Sequence, residues 1–385
     1  MSLRDEARAE GKRLFDWWAE HLVDDRGGFY GEIDADDRPV PAAPKSIILN
    51  TRLLWFFSAM ASSGDRASGL ARRAAEYIRT RFYDTDQGGL YWLLTADGEP
   101  EETRKQAYAH AFAIYAFAEY YHATGDAAAL AFAHDLQALI EAKYWDAAAG
   151  GYIEALDREW NTPADQRLSD KDIDAPKTMN THLHVLEAYT RLHVVAPTEA
   201  TRAALRRILT VFIDRFTGTD GHLRLFFDMD WNDLTRSVSY GHDIEASWLI
   251  WEAAKALCEE ALLTRARKAV LALAEMARDE GMSATGSFIY EKSFDGRIDP
   301  DGEWWEQAEA LVGFVNAWQM TGEANWLDVA KQVWAYTKTQ YGAGGATEWT
   351  WYAASAPKDK IYKAGQWKCP YHNGRAMIEL DHRLA

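Results

Sequence analysis

The chain has only two cysteines, Cys258 and Cys369, among 385 residues. That is too few for a disulfide framework and favours a reducing compartment. No apolar run approaches the roughly 18 residues needed to span a bilayer. The opening MSLRDEARAE runs straight into an amphipathic helical pattern, with no leader peptide. A cytoplasmic protein without a membrane partner is therefore expected. Positive charge is also scarce: 42 Lys and Arg face 59 Asp and Glu, leaving a net charge of −17. Such a balance argues against nucleic acid or an anionic membrane as partner, but says little about a neutral substrate.

Other absences narrow the chemistry. No stretch rich in Pro, Gly or Ser divides the chain, so one domain over residues 1–385 is expected. No His or Cys spacing matches a zinc pattern, and no glycine-rich phosphate loop occurs. There is no GxSxG elbow, and Cys369 beside Pro370 reads as a small packed residue rather than a nucleophile.

What is abundant is aromatic and periodic. Six glycine-aromatic signatures recur: GGFYGEID from Gly27, GGLYWLLT from Gly88, GGYIEALD from Gly150, GHLRLFFD from Gly221, GSFIYEKSFDG from Gly286 and GGATEWTWY from Gly344. Their steps are 61, 62, 71, 65 and 58 residues. Each combines turn residues with a short aromatic or β-branched run, as in a tight loop or short hairpin. Between signatures lie two segments with apolar residues at helical spacing, for example Ala107–Tyr121 and Ala127–Tyr144. Repeats of this length bury their apolar faces against their neighbours. Six such units predict an all-α fold, an (α/α)6 barrel of about twelve helices with short β-hairpin loops at one end.

The same period phases six polar residues. Arg52, His110, His184, His242, Glu309 and His372 each fall 21 to 34 residues after their own signature. In a closed ring, equivalent phases meet at one end of the axis, so these groups are expected in a common pocket. His242 and Glu245 are three apart and share a helix face, as do Asn180 and His184, four apart. Asp243 points elsewhere, as a capping or surface residue. His182 lies about 200° around the helix from His184, so the two do not chelate one metal. Among the 17 Trp and 18 Tyr, Trp305 and Trp367 are expected in turns beside the phased polar groups. Flat indole faces there suit the C–H face of a sugar ring, with Arg, Asn, Glu and His left to pair with its hydroxyls.

The chain resembles the N-acylglucosamine 2-epimerase superfamily, and within it the cellobiose 2-epimerases. The likeness runs end to end through GGFYGEID, APKSIILNTRLLW, KQAYAHAFAIYA, KTMNTHLHVLEAY, YGHDIEASWLIWEA, WWEQAEALVGFVNA and WKCPYHNGRA. The WKCPYHN string is similar to the cellobiose epimerase form, where N-acylglucosamine enzymes have a KGCFHVPR-like sequence. One departure is YAHAF at Tyr108–Phe112, where the family usually shows YGQAF; His110 is expected to alter hydrogen bonding in the pocket.

The resemblance implies epimerisation at C2 of a reducing-end aldose, without cofactor or metal, by ring opening and proton transfer through a cis-enediolate. Its two acid/base groups fall on His242 and His372, with His184 also in the pocket. Arg52 then stabilises the enediolate oxygen, and Glu245 orients His242 or relays its proton. Tyr108, His110, Asp172, Asn180, Trp305 and Glu309 hold hydroxyls or ring faces. Trp367 stacks on the second sugar unit of a disaccharide such as cellobiose or lactose. Two variants stay open: an epimerase or aldose–ketose isomerase acting on free mannose or N-acetylglucosamine, and an (α/α)6 glycoside hydrolase using Asp172 with Glu245 or Glu309. The partner is a mono- or disaccharide, and the protein a monomer or homodimer.

Overall fold

The computed structural model describes residues 2–356 and 361–385, among which there are twelve α-helices. They are α1 (Leu3–His21), α2 (Ile47–Ala59), α3 (Asp65–Tyr77), α4 (Ala107–Thr124), α5 (Ala127–Lys143) and α6 (Met179–Val195). The rest are α7 (Glu199–Val211), α8 (Tyr240–Leu257), α9 (Glu260–Asp279), α10 (Trp304–Thr321), α11 (Ala324–Gln340) and α12 (His372–Arg383). Even-numbered helices form the inner ring and odd-numbered ones the outer. The sequence distinguishes the two. In α2 every residue from Ile47 to Ser58 is buried, as befits a helix packed on all sides. In α3 only the stripe Ala67, Leu70, Ala71, Ala74 and Ala75 is buried, the pattern of a helix with one face in water. No helix among the described residues is long and apolar enough to cross a membrane.

Five units run in order along the chain, and the sixth is assembled from both ends. Outer α1 packs on inner α12, where Gly11 lets the backbone approach so closely that a Cβ there would sit 3.3 Å from that of Met377. Arg4 and Arg8 both reach Asp381, at 2.9 and 2.8 Å. A serine cap starts α1: the hydroxyl of Ser2 accepts from the backbone N–H of Asp5, and the Asp5 carboxylate accepts in return.

Neighbouring units are stitched at the end where the inner helices begin. The two residues before α2 pair antiparallel with the next unit's loop, Lys45 opposite Leu94. The same holds at Lys105–Leu156 and Lys177–Phe227, and, one residue further from its helix, at Val238–Lys292. Single bridges at Glu303–Tyr352 and Ile33–Ala364 complete the circuit. Three of these strands start with a buried lysine that reaches back to an aspartate before its own glycine signature: Lys45–Asp24 at 2.8 Å, Lys105–Asp84 at 3.0 Å and Lys177–Asp146 at 2.7 Å. Removing one partner of such a buried pair leaves an uncompensated charge, worth about 3–5 kcal/mol.

The glycine signatures themselves are tight loops closed by aromatic rings. Gly89 (φ +73°) and Gly151 (φ +86°) have left-handed backbone, and a Cβ on either would strike Trp160 or Trp231 of the following unit at 2.8 or 2.6 Å. Those indoles donate to Gln87 O and Ala149 O, both at 3.0 Å. Part of the tryptophan surplus is thus structural, and it fixes the loops that surround the axis.

Candidate active site

A cavity of about 340 Å³ opens where the inner helices begin, at the end of the barrel that carries the stitched loops. Helix geometry decides which residues reach it. The sixth residues of α2, α6, α8 and α10 are Arg52, His184, Glu245 and Glu309, and the second residues of α4, α6 and α10 are Tyr108, Asn180 and Trp305. Positions two and six lie four apart, on one face. His242 is third in α8 and His372 first in α12. Of these, Arg52, Tyr108, Asn180, His184, His242, Glu245, Trp305 and His372 line the cavity, together with Asp172 and Trp367 from loops.

Two expectations need correction. His110 is fourth in α4, about 200° from Tyr108, and turns away from the axis. Its Nδ1–H donates to Gln106 O (2.7 Å) and its Nε2 accepts the backbone N–H of Leu90 (3.0 Å). His182, fourth in α6, does the same for Tyr152 at 2.8 Å. The residue of α4 in phase with Arg52 and His184 is Phe112. Its ring lies 4.3 Å from the Arg52 guanidinium and 4.6 Å from the His184 ring. Asp243, fourth in α8, is likewise neither a cap nor on the surface. Fully buried, it accepts from Leu223 N (2.9 Å) and pairs with Nδ1 of His222 (2.8 Å). In α4, α6 and α8, position four is a clamp on the glycine signature, not a site position.

Glu309 and Glu245 also depart from their expected places. Glu309 lies behind the cavity wall, accepting from Nδ1 of His372 (2.7 Å) and from the indole N–H of Trp248 (3.0 Å). Glu245 reaches the cavity but not His242. It accepts from Arg375 at 2.9 Å and stands 4.0 Å from Nδ1 of His372. His242 is held instead by the Ser239 hydroxyl, 2.7 Å from Nδ1.

Each histidine on the cavity therefore has Nδ1 engaged, which leaves Nε2 as the nitrogen available to a ligand. His184 uses Glu187, at 3.0 Å. The rings of His242 and His372 both pack on Trp305, with centroids 4.9 and 5.5 Å from it. Burial disfavours the charged imidazolium in all three. It pushes His242 down to about 3 and His372 well below the usual histidine range, the latter helped by Arg52 and Arg375. His184 is lowered too, against the pull of Glu187. All three are neutral bases at pH 7. Burial, reinforced by Glu309, pushes the Glu245 carboxyl well above the usual carboxylate range, against the pull of Arg375.

Arg52 is held at the cavity wall by several contacts. It donates to the Tyr108 hydroxyl at 2.8 Å and to Sγ of Cys369 at 3.4 Å, and its plane lies 4.6 Å from the Tyr371 ring. Its Nε has no partner among the described residues. The loop carrying Asp172 is strapped across the mouth by Lys171, which donates to Glu303 at 2.8 Å and to the Tyr290 hydroxyl at 3.1 Å. Burial raises Asp172. Trp367 packs against Tyr108 and Trp92, at 6.3 and 6.1 Å.

Glu245, Glu309 and His372 bring ligand atoms within 4.8 Å of one another, a spacing that a metal ion could use. The guanidinium of Arg375 already occupies that position, 2.9 and 2.7 Å from the two carboxylates. The trio is a counter-ion set for arginine and does not fit a divalent cation.

The sequence matches a known family. Its profile, N-acylglucosamine 2-epimerase (GlcNAc 2-epimerase), covers residues 28–376. The chain belongs to that family. It is 43% identical to a cellobiose 2-epimerase of Bacteroides fragilis over 96% of this chain and 95% of the relative. A cellobiose 2-epimerase of Ruminococcus albus is 37% identical over 96% of each. The solved cellobiose 2-epimerase of Bacillus thermoamylovorans superposes with a TM-score of 0.93 at 34% identity, covering 99% of both chains.

Glu187, Arg375, Tyr371 and Ser239 escaped the sequence reading. Two of them had a signal: Glu187 follows His184 by three, and Arg375 follows His372 by three, each on its histidine's own helix face.

Proposed function

We propose that the protein epimerises C2 of the reducing-end aldose in a disaccharide of the cellobiose or lactose type. The observation that carries this reading is the pair His242 and His372. They come from different helices, both are neutral, and both pack on one indole at the cavity. After the sugar ring opens, one histidine takes the C2 proton through Nε2. The C2–H electron pair becomes the C1=C2 bond of a cis-enediolate, and the carbonyl π electrons move to O1. The other histidine, neutral in the free protein, first takes a proton from water at its Nε2; as imidazolium it gives that proton to the opposite face of C2, and the carbonyl re-forms. Atoms balance, with the proton count restored by exchange with water. Imidazole suits both steps, because it takes a proton as a base and gives it up again as imidazolium.

Arg52 stabilises charge on the enediolate oxygen as a preorganised donor. Tyr108, Asp172 and Asn180 hold hydroxyls, Trp305 backs the reacting unit, and Trp367 receives the second sugar. A hydrolase would need two free carboxylates flanking a glycosidic bond. Glu309 is committed to His372 and Glu245 to Arg375, so that alternative lacks its pair. The test is proton NMR in D2O with cellobiose, lactose, mannose, glucose and N-acetylglucosamine. Deuterium at C2 together with the anomeric signals of the 2-epimer is expected with the disaccharides. Conversion of the monosaccharides alone, or to a ketose alone, would overturn the reading.

A further inference from the structure

Arg375 is buried at the fourth position of α12, and it joins the two carboxylates that hold cavity histidines. Its Nη1 donates to Oε1 of Glu187 and to the Tyr371 hydroxyl. Its Nη2 donates to Glu309 at 2.7 Å and Glu245 at 2.9 Å. The guanidinium plane is fixed between rings, 3.9 Å from the centre of Tyr371 and 4.6 Å from that of Trp248. Oε2 of Glu187 meets His184, and Oε1 of Glu309 meets His372. One unbroken chain therefore runs from His184 through Glu187, Arg375 and Glu309 to His372, from α6 across α12 to α10.

We propose that Arg375 is a positioning residue that fixes His184 and His372 together, both as Nδ1–H tautomers with Nε2 toward the cavity, so that the two rings titrate as a pair. Arginine suits this role, since its planar fork holds two carboxylates in a set geometry where a lysine offers a point charge. The catalytic meaning of the pair rests on the epimerase reading; the linkage itself does not.

Charge reinforces the geometry. One guanidinium faces three carboxylates, and burial together with Glu309 pushes that of Glu245 well up. A proton on either histidine adds a positive charge to this shared set and disfavours one on the other. The other groups facing this set are Arg52 from α2, Tyr108 and Tyr115 from α4, His242 from α8, and Tyr371 just before α12. Arg52 opposes protonation of both rings, and so does Arg375.

The test is a pH titration of histidine imidazoles by long-range ¹H–¹⁵N spectra of the full-length protein, run beside the C2-exchange assay. Both rings should report the Nδ1–H tautomer in the unsubstituted protein. In Arg375→Gln the pKa of His184 and that of His372 should both rise by about one unit or more, the usual effect of losing a like charge a few ångströms away. The acid limb of kcat/KM should follow to higher pH with KM little changed, which a merely structural loss would not produce. Arg375→Lys, which keeps the charge, should shift both less. In Glu187→Gln the signs reverse, and His372 should fall along with His184 through the uncompensated guanidinium. That variant and the lysine one decide the matter if Arg375→Gln does not fold. A shift confined to one ring, or none in a folded variant, overturns the linkage. Absence of C2 exchange in the unsubstituted protein would instead overturn the epimerase reading and leave the spectra to judge the linkage alone.

Discussion

Nδ1 of His372 lies 2.7 Å from Oε1 of Glu309, and that contact dictates which edge of the imidazole meets the cavity. An ionised carboxylate only accepts, so Nδ1 carries the proton and Nε2 offers its lone pair. In the mechanism proposed above, the carboxylate also stabilises the imidazolium that forms when His372 takes a proton.

Glu309→Gln tests that arrangement. The amide keeps the shape but lets an N–H face Nδ1, which favours the wrong tautomer. kcat should fall about 10²–10⁴-fold, the usual contribution of a positioned acid or base, with KM changed only slightly. A change in KM alone would show that Glu309 binds substrate, and steady-state kinetics on cellobiose would decide.

His110 and His182 give a pH prediction. Burial holds their pKa values at about 4 and about 3, against 6.5 for an ordinary histidine. With the folded value depressed, the unfolded chain binds more protons below about pH 6.5, so stability falls as pH falls through that window. Each clamp should cost about 1.4 kcal/mol per pH unit until its own low pKa is reached. In His110→Gln the slope of stability against pH between about 4 and 6.5 should be shallower, by chemical denaturation, with KM for the sugar unchanged. A KM effect as large as that of replacing Tyr108 would return His110 to the site.

These clamps also show what the sequence hides. The period of the glycine signatures made the twelve-helix ring legible, because turn residues and helical stripes are local features. A phase error of two residues in a helix is about 200°, which is how His110 was expected at the axis where Phe112 stands. The rule that separated His182 from His184 also separates His110 from Tyr108. Glu187 and Arg375 were hidden for another reason. A buried charge is intelligible only once its partners, 188 and 66 residues away in the case of Arg375, are brought to it by ring closure.

Trp367→Ala should raise KM for a disaccharide far more than for a monosaccharide, because the indole is expected against the second sugar unit. Stacking of this kind is worth about 0.5–1.5 kcal/mol beyond buried area, so a rise of roughly tenfold is expected. Its packing on Trp92 and Tyr108 is the competing explanation. Equal effects on both substrates, with a lowered melting temperature, would favour packing.

His242 and His372 should behave as one catalytic unit. Either residue changed to Asn should cut kcat severely, and the double variant should be little worse than the more damaged single one, since groups acting together are strongly non-additive. Isotope exchange should nevertheless tell the two apart. A variant that keeps the base for one epimer can remove and return the proton on the same face, so it should wash C2 deuterium out of that epimer without converting it. The other variant should show the same behaviour with the opposite epimer. The structure gives the two sites different supports: a serine hydroxyl for His242, a carboxylate for His372. His372 should therefore be the more basic in the sugar complex, and His372→Asn the more damaging change. Near-normal epimerisation by both folded variants would refute the two-histidine mechanism and move attention to His184.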